Sequence, residues 1–327
     1  MGNSMIGVDI SSSDVCMAQV QGFSVVLAVE HLPENLIRED RIVSQELLAT
    51  FLKQMKNRYK FAGRKCQLIL PEYSTFFRSL TMPVMNAERL MLNLPYEFRD
   101  YVGDESMNYF YDYAVDDIPR DDKGEPTGID ILAAAGLKAT IREYGEILHR
   151  AGMKLSVSVP REMALLKLLR SHQIVGDQPF GLVDVGYEHT RVYLFRGRNL
   201  EAAKIMDIGC RQIDEAIAAT LNIDPYLAAS YRETNHENVL DLDACHSVYS
   251  HISLEVMKTV NFYVYENPQA EFSGIFFCGA GAAVEPLINE VLGDTRLGRH
   301  YLSELMPEGC KTDPLAAQCA MAIGATL

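Results

Sequence analysis

The chain has 327 residues, 48% apolar and 23% charged, with 30 basic and 44 acidic side chains and a net charge of −14. That length exceeds a single domain of about 100–200 residues, so two lobes are expected. The acidic balance argues against non-specific nucleic-acid binding and against a basic patch for a membrane surface, and no apolar run approaches the ~20 residues of a membrane span.

The chain opens Met1-Gly2-Asn3-Ser4-Met5-Ile6, with no positive region or long apolar region, so no signal peptide is expected. Position 6 is not the Ser/Thr of a myristoylation signal. Residues 5–30 read as consecutive strands with tight turns, the second at Gln21-Gly22. Residues 44–60 carry Leu47, Leu48, Phe51, Leu52, Met55 and Tyr59 at helical spacing. Short strands follow at 66–70 and 76–82, each closed by a proline. Asn86 is a candidate N-cap for a helix that Pro95 should interrupt, with 96–102 continuing after a kink. Residues 107–115 alternate aromatic and polar side chains like an edge strand, and 116–129 are rich in turn formers. A buried strand at 129–137 leads to an amphipathic helix at 139–151, with Gly152 as its C-terminal glycine. A strand at 155–159 and a helix at 161–172 close the first half.

The second half repeats the opening pattern with strands at 180–186, 191–196 and 199–206. Helices are expected at 211–221, 225–233 and 242–265, a strand at 274–278, a helix at 282–292 and an Ala-rich helix at 313–325. The seven cysteines are odd in number and show no Cys-x-x-Cys spacing, which suits reduced thiols in a cytoplasm.

Two segments look like versions of one another: Gly7-Val8-Asp9-Ile10-Ser11-Ser12-Ser13-Asp14-Val15 and Leu182-Val183-Asp184-Val185-Gly186-Tyr187-Glu188-His189-Thr190. Each is an apolar strand ending in an aspartate, a small-polar turn and another apolar strand. A third small-residue turn, Gly279-Ala280-Gly281, also follows a strand. In such turns successive amides can converge on an anion, and small side chains allow close approach. Asp9 and Asp184 are candidate Mg²⁺ ligands acting through water, with the turns holding phosphate. A strand-end Asp before a turn is more often a local cap, so it is the threefold recurrence on a duplicated frame that points to a cleft. The eight histidines are dispersed, and neither a nucleophile elbow nor a P-loop is present.

The order of these turns resembles the actin-like ATPase superfamily, which also contains Hsp70 chaperones and sugar kinases. The resemblance implies an α/β, two-lobed, duplicated ribonuclease H-like fold with a small inserted subdomain. It implies a first lobe over 1–175 with the insertion at about 81–128, a second lobe over 176–312, and a C-terminal helix, 313–327, packing back on the first lobe. The nucleotide site it implies comprises Asp9, Ser11, Ser12, Ser13, Asp184, Gly186, Thr190, Lys258, Gly279, Ala280 and Gly281, with ATP and Mg²⁺ as cofactors.

Within the superfamily the chain is similar to the PilM family of type IV pilus assembly. Arg78-Ser79-Leu80-Thr81-Met82-Pro83 resembles that family's entry into its small subdomain, and Ala133-Ala134-Ala135-Gly136-Leu137-Lys138 its return. Leu254 to Tyr263 resembles its Glu-Ile-x-Arg-Ser-Leu-x-Phe-Tyr helix. The partner so implied is a PilN-like inner-membrane protein, whose short N-terminal tail lies in a groove of residues 76–135, with Arg78, Met82, Tyr96 and Phe98 as candidate contacts. The location so implied is the cytoplasmic side of the inner membrane. The departures bear on activity. Ser11 stands where the family has glycine, Asp14 where it has serine, and Cys16 where it has lysine. The acids of its Val-Asp-x-Glu are absent from Val157-Ser158-Val159-Pro160, and no Glu or Gln precedes the helix at 139. The reading is a scaffold with weak or vestigial ATP binding and little or no ATPase activity. The alternatives are an active small-molecule kinase of the same superfamily, for which no base stands out, and an FtsA-like cytoskeletal anchor, for which no basic amphipathic tail is seen.

Overall fold

The computed structural model describes residues 5–33, 36–38, 41–171, 178–197, 199–269 and 271–327. In chain order, β1 (Ile6–Ile10), β2 (Asp14–Gln21) and β3 (Ser24–His31) form a meander, followed by the short pair β4 (Ile37–Arg38) and β5 (Arg41–Ile42). Next come α1 (Gln45–Arg58), β6 (Lys65–Ile69), β7 (Thr75–Met82), α2 (Ala87–Glu97) and the single turn α3 (Arg99–Val102). β8 (Tyr109–Asp117), β9 (Ile129–Leu137), α4 (Lys138–Arg150), β10 (Lys154–Val159) and α5 (Arg161–Arg170) complete the first half. The second half contains β11 (Pro179–Val185), β12 (Thr190–Arg196), β13 (Asn199–Met206), α6 (Cys210–Leu221), α7 (Pro225–Thr234), α8 (Asp243–Glu266), β14 (Ile275–Cys278), α9 (Glu285–Thr295) and α10 (Ala320–Thr326).

The duplication is visible in the sheets. The first has the order β10-β6-β1-β2-β3 and the second β13-β12-β11-β14. In each, a hairpin pairs antiparallel and its first strand then pairs parallel with a later one, β1 with β6 and β11 with β14. A third sheet, β7-β9-β8, carries α2 on one face.

Packing follows from strand periodicity. Phe180 and Leu182 of β11 face a core that also takes in Ala18, Leu27 and the apolar face of α5, while Val183 and Val185 face α6, α8 and α9. The first core lies between the two large sheets, with α5 and α10 as its filling. α10 lies so close to β1 that a Cβ on Gly7 would sit 1.9 Å from the Ala322 carbonyl oxygen.

Some boundaries differ from the sequence expectation. α2 runs through Pro95 and breaks at Phe98, so the missing proline amide is absorbed within its last turn. The Ala-rich C-terminal segment becomes helix only at Ala320, because the Ala317 carbonyl accepts the Gly279 amide at 3.1 Å instead of continuing a helical ladder. α9 starts at Glu285, with Pro286 in its first turn, where a missing amide does no harm. α4 closes as expected: Gly152 takes φ +79°, its amide donates to His149 and that of Met153 to Leu148. The lobe boundary expected at 175/176, the last residue of the helix expected at 161–172 and the first four residues lie outside the described residues. Among the described residues no disulfide forms, and six of the seven cysteines are buried.

Candidate functional site

β1, β6 and β10 run parallel, so their C-terminal ends emerge on one edge of the first sheet. Side chains at the carboxyl ends of such strands converge, which is why ligands of open α/β sheets gather there. β1 delivers Asp9, the turn after β6 delivers Glu72, and Arg161 is the first residue of the helix that follows β10. Across the cleft β11 delivers Asp184, and β12 places Arg191 directly opposite it in register.

These five side chains form one ion-pair chain. An Arg161 terminal nitrogen donates to both Asp9 oxygens at 3.0 and 3.1 Å, and the other lies 3.4 Å from Asp184 Oδ2. Arg191 lies 3.7 Å from the same Asp184 oxygen and grips Glu72 through Nε and through Nη2, the latter at 2.8 Å. Two links, Arg161 to Asp184 and Arg191 to Glu72, cross from one half of the chain to the other. The two aspartates are buried, Asp9 to 8% and Asp184 to 3% exposure, and Glu72 is half-buried.

The electrostatics follow from that burial. Burial pushes the Asp9 carboxyl above the usual carboxylate range, against the pull of Arg161. Burial also works against the Arg161 charge, but Asp9 and Asp184 more than compensate, so this guanidinium holds its proton more tightly than usual. Burial would likewise raise Glu72, yet the hydrogen bonds and charge of Arg191 hold it below its ordinary value.

The position expected for Mg²⁺ is therefore occupied by a side chain. Mg²⁺ requires oxygen ligands in a near-octahedral shell at about 2.0–2.1 Å. Here guanidinium nitrogens fill the space between the two aspartates, and a dication placed there would face a fixed positive charge. Asp9 and Asp184 do not suit a metal in this arrangement, and among the described residues no cluster of His, Cys, Asp and Glu suits one either.

The turns also hold several of their own amides internally. In the first, the Ser11 amide donates to the Asp14 carbonyl at 2.9 Å, and Ser11 Oγ accepts the amides of Ser13 at 3.3 Å and Asp14 at 2.9 Å. Ser13 Oγ donates to Asp14 at 2.6 Å. Ser12 is half-buried in the same turn. Asp14 is held by His31, whose other ring nitrogen lies 3.1 Å from Glu233 of α7 in the second lobe. These two carboxylates raise the His31 pKa to about 10. In the second turn the Gly186 amide donates to His189, and the first amides of α6, on Cys210 and Arg211, donate to the carbonyls of Gly186 and Tyr187. A helix N-terminus can hold phosphate through such amides, but here loop carbonyls take two of them. Thr190 donates to the Ile208 carbonyl at 2.7 Å, a structural bond. Gly279, at φ +79°, is forced by close approach, since a Cβ would lie 2.5 Å from Asp184 Oδ1. Ala280 and Gly281 form a single 3₁₀ turn beside it. Lys258 is exposed and paired with Glu255 at 2.7 Å.

Of the groove candidates, Phe98 and Met82 are 0% and 5% exposed in the small-sheet core, which corrects their reading as partner contacts. Arg78 donates to the Glu97 carbonyl and stacks over Tyr101 at 5.3 Å, whereas Tyr96 is 73% exposed. A surface cavity of about 500 Å³ opens between α4 and the free edge of β10, lined by Ile141, Arg142, His149 and Val157 among others. Sequence reading stopped at the missing acids of 157–160 and passed over Arg161 just beyond them. The available signal was an arginine in the first turn of a helix, where the dipole disfavours a cation.

Two sheets of one topology, facing across a cleft with a strand-end aspartate on each side, define an actin-like ATPase fold, and solved structures of that fold superpose on this chain. Residues 7–302 match the family described as type IV pilus assembly protein PilM, and the chain belongs to that family. A structure described as a PilM-PilN type IV pilus biogenesis complex superposes with a TM-score of 0.82 at 19% identity, covering 98% of this chain and 97% of the other. The ethanolamine utilization protein EutJ from Carboxydothermus hydrogenoformans gives 0.63 at 12% identity, covering 100% and 90%. MreB5 of Spiroplasma citri bound to ADP gives 0.50 at 12% identity, covering 98% and 95%. Among curated proteins none matches the sequence significantly. Among the described residues no helix is long and apolar enough to cross a membrane.

Proposed function

We propose that this protein is a type IV pilus assembly scaffold that binds the short N-terminal tail of a PilN-like inner-membrane protein and has little or no ATPase activity. The observation that carries the reading is the likeness to the PilM-PilN complex over 98% of the chain. The scaffold sits on the cytoplasmic face of the inner membrane, recruited by that tail. Docking falls on the first lobe beside the small sheet. Tyr96 offers an exposed aromatic anchor there, and the free edge of β10 beside the 500 Å³ cavity offers backbone groups for an added strand. Nucleotide binding is vestigial. An actin-like relative holds ADP, but in this chain the Ser11, Ser13, Asp14 and Gly186 amides are already bonded within their own turns.

The test is fluorescence anisotropy with a labelled synthetic peptide of the tail of the PilN-like protein from the same organism. Saturable binding, weakened by Tyr96→Ala or by Val157→Pro on the β10 edge, supports the reading and locates the groove. Absence of binding, together with recruitment that persists when the tail is deleted in cells, would overturn it.

A further inference from the structure

We infer that Arg161 is a built-in cation that takes the place of a metal ion, so that the two lobes are clasped by an internal ion-pair chain and not by a metal-nucleotide complex. Three observations carry this, and none depends on which partner the protein binds.

The first is geometry. One guanidinium spans two aspartates contributed by different lobes, with both Asp9 oxygens on one nitrogen at 3.0 and 3.1 Å and Asp184 on the other at 3.4 Å. A rigid planar fork suits this task, and a flexible ammonium does not. The second is the setting. Arg161 sits in the first turn of a ten-residue helix, facing the positive end of its dipole, and is largely buried. Neither circumstance favours a cation, so the two aspartates are what hold it. The third is continuity. Arg191 extends the chain from Asp184 to Glu72, giving a second crossing between the lobes.

The consequence is a cleft that needs no ligand to be electrostatically complete. Without Arg161, the two buried carboxylates would be left with Arg191 alone, on the Asp184 side, and such an under-compensated pair takes up a proton or a cation. Arg161→Ala should therefore create the metal site that the wild-type chain lacks.

The experiment follows Mn²⁺ by electron paramagnetic resonance, with and without ATP, in wild-type, Asp184→Asn, Arg161→Ala and the double variant. The wild-type and Asp184→Asn proteins should deplete the free Mn²⁺ signal equally. Arg161→Ala should bind Mn²⁺ at least tenfold more tightly than wild-type, and the double variant should lose that gain. Wild-type binding of Mn²⁺ or Mn²⁺-ATP that Asp184→Asn abolishes would overturn the inference, and so would a folded Arg161→Ala protein that binds no more tightly than wild-type. Should Arg161→Ala fail to fold, the wild-type and Asp184→Asn pair still decides the question.

Discussion

The two hairpins that open the two halves share one topology and differ in what stands opposite the aspartate. Opposite Asp9 in register is Cys16, and opposite Asp184 is Arg191. The first half has no cation on its own hairpin and brings Arg161 in from α5, its last helix. The second carries its cation on the hairpin and lends it to Glu72 in the first half. Each lobe thus sends one arginine to a carboxylate of the other. Duplicated halves can keep one backbone plan while dividing charge unequally, and that inequality is what joins them here.

The largest effect expected from breaking this comparison is that of Arg161→Ala. Removing one partner of a buried ion pair costs about 3–5 kcal/mol, because the remaining charge stays buried. Urea unfolding should show that loss, and Asp184→Asn in the Arg161→Ala background should restore part of it, since neighbours in one network are not additive. If the two losses simply add, the aspartates and the arginine do not act as a unit.

The turns sharpen the comparison at lower amplitude. Gly279→Ala places a Cβ 2.5 Å from Asp184 Oδ1 at a residue with φ +79°, and should cost about 2–3 kcal/mol in the same assay. Exchanging the turn residues should be asymmetric. Gly186→Ser puts a Cβ 2.9 Å from the His189 carbonyl oxygen and should cost more than Ser11→Gly. The latter forfeits the hydroxyl that accepts the Ser13 and Asp14 amides, a loss of about 1–2 kcal/mol.

The smallest effect concerns the His31 link between Asp14 and Glu233. The folded pKa of about 10 lies above the ordinary 6.5, so the stabilisation is complete below pH 6.5 and is lost as pH rises through 10. The His31 side chain is 66% exposed, and screening holds the contribution to about 1 kcal/mol or less. The stability difference between wild-type and His31→Gln should therefore be largest near pH 6 and vanish above pH 10. A difference that grows with pH would show that the histidine is not held protonated by these carboxylates.

Much of the frame was legible in the sequence because hairpins and amphipathic helices write their period into short segments. Asp9 and Asp184 were legible for the same reason, as strand ends before small-residue turns. The clasp was not, because its links join positions far apart. Glu72 and Arg191 are separated by 119 residues, and nothing local marks either as the partner of the other. Phe98 and Met82 read as groove residues because an aromatic or sulfur side chain beside a small sheet suits either surface or core; only the packing of α2 on β9 decides for the core. The Ala-rich stretch before α10 has helical composition, yet one tertiary hydrogen bond, from Gly279 to Ala317, redirects it.

The most direct test of the central claim is thermal unfolding of the wild-type protein with Mg-ATP, with EDTA and with neither. A ligand that binds the native state at a thousand times its Kd adds about 4 kcal/mol of stability, which raises the Tm by several degrees. The clasp predicts one Tm under all three conditions at millimolar nucleotide. A clear rise with Mg-ATP, abolished by Asp184→Asn, would show that the cleft takes metal and nucleotide after all.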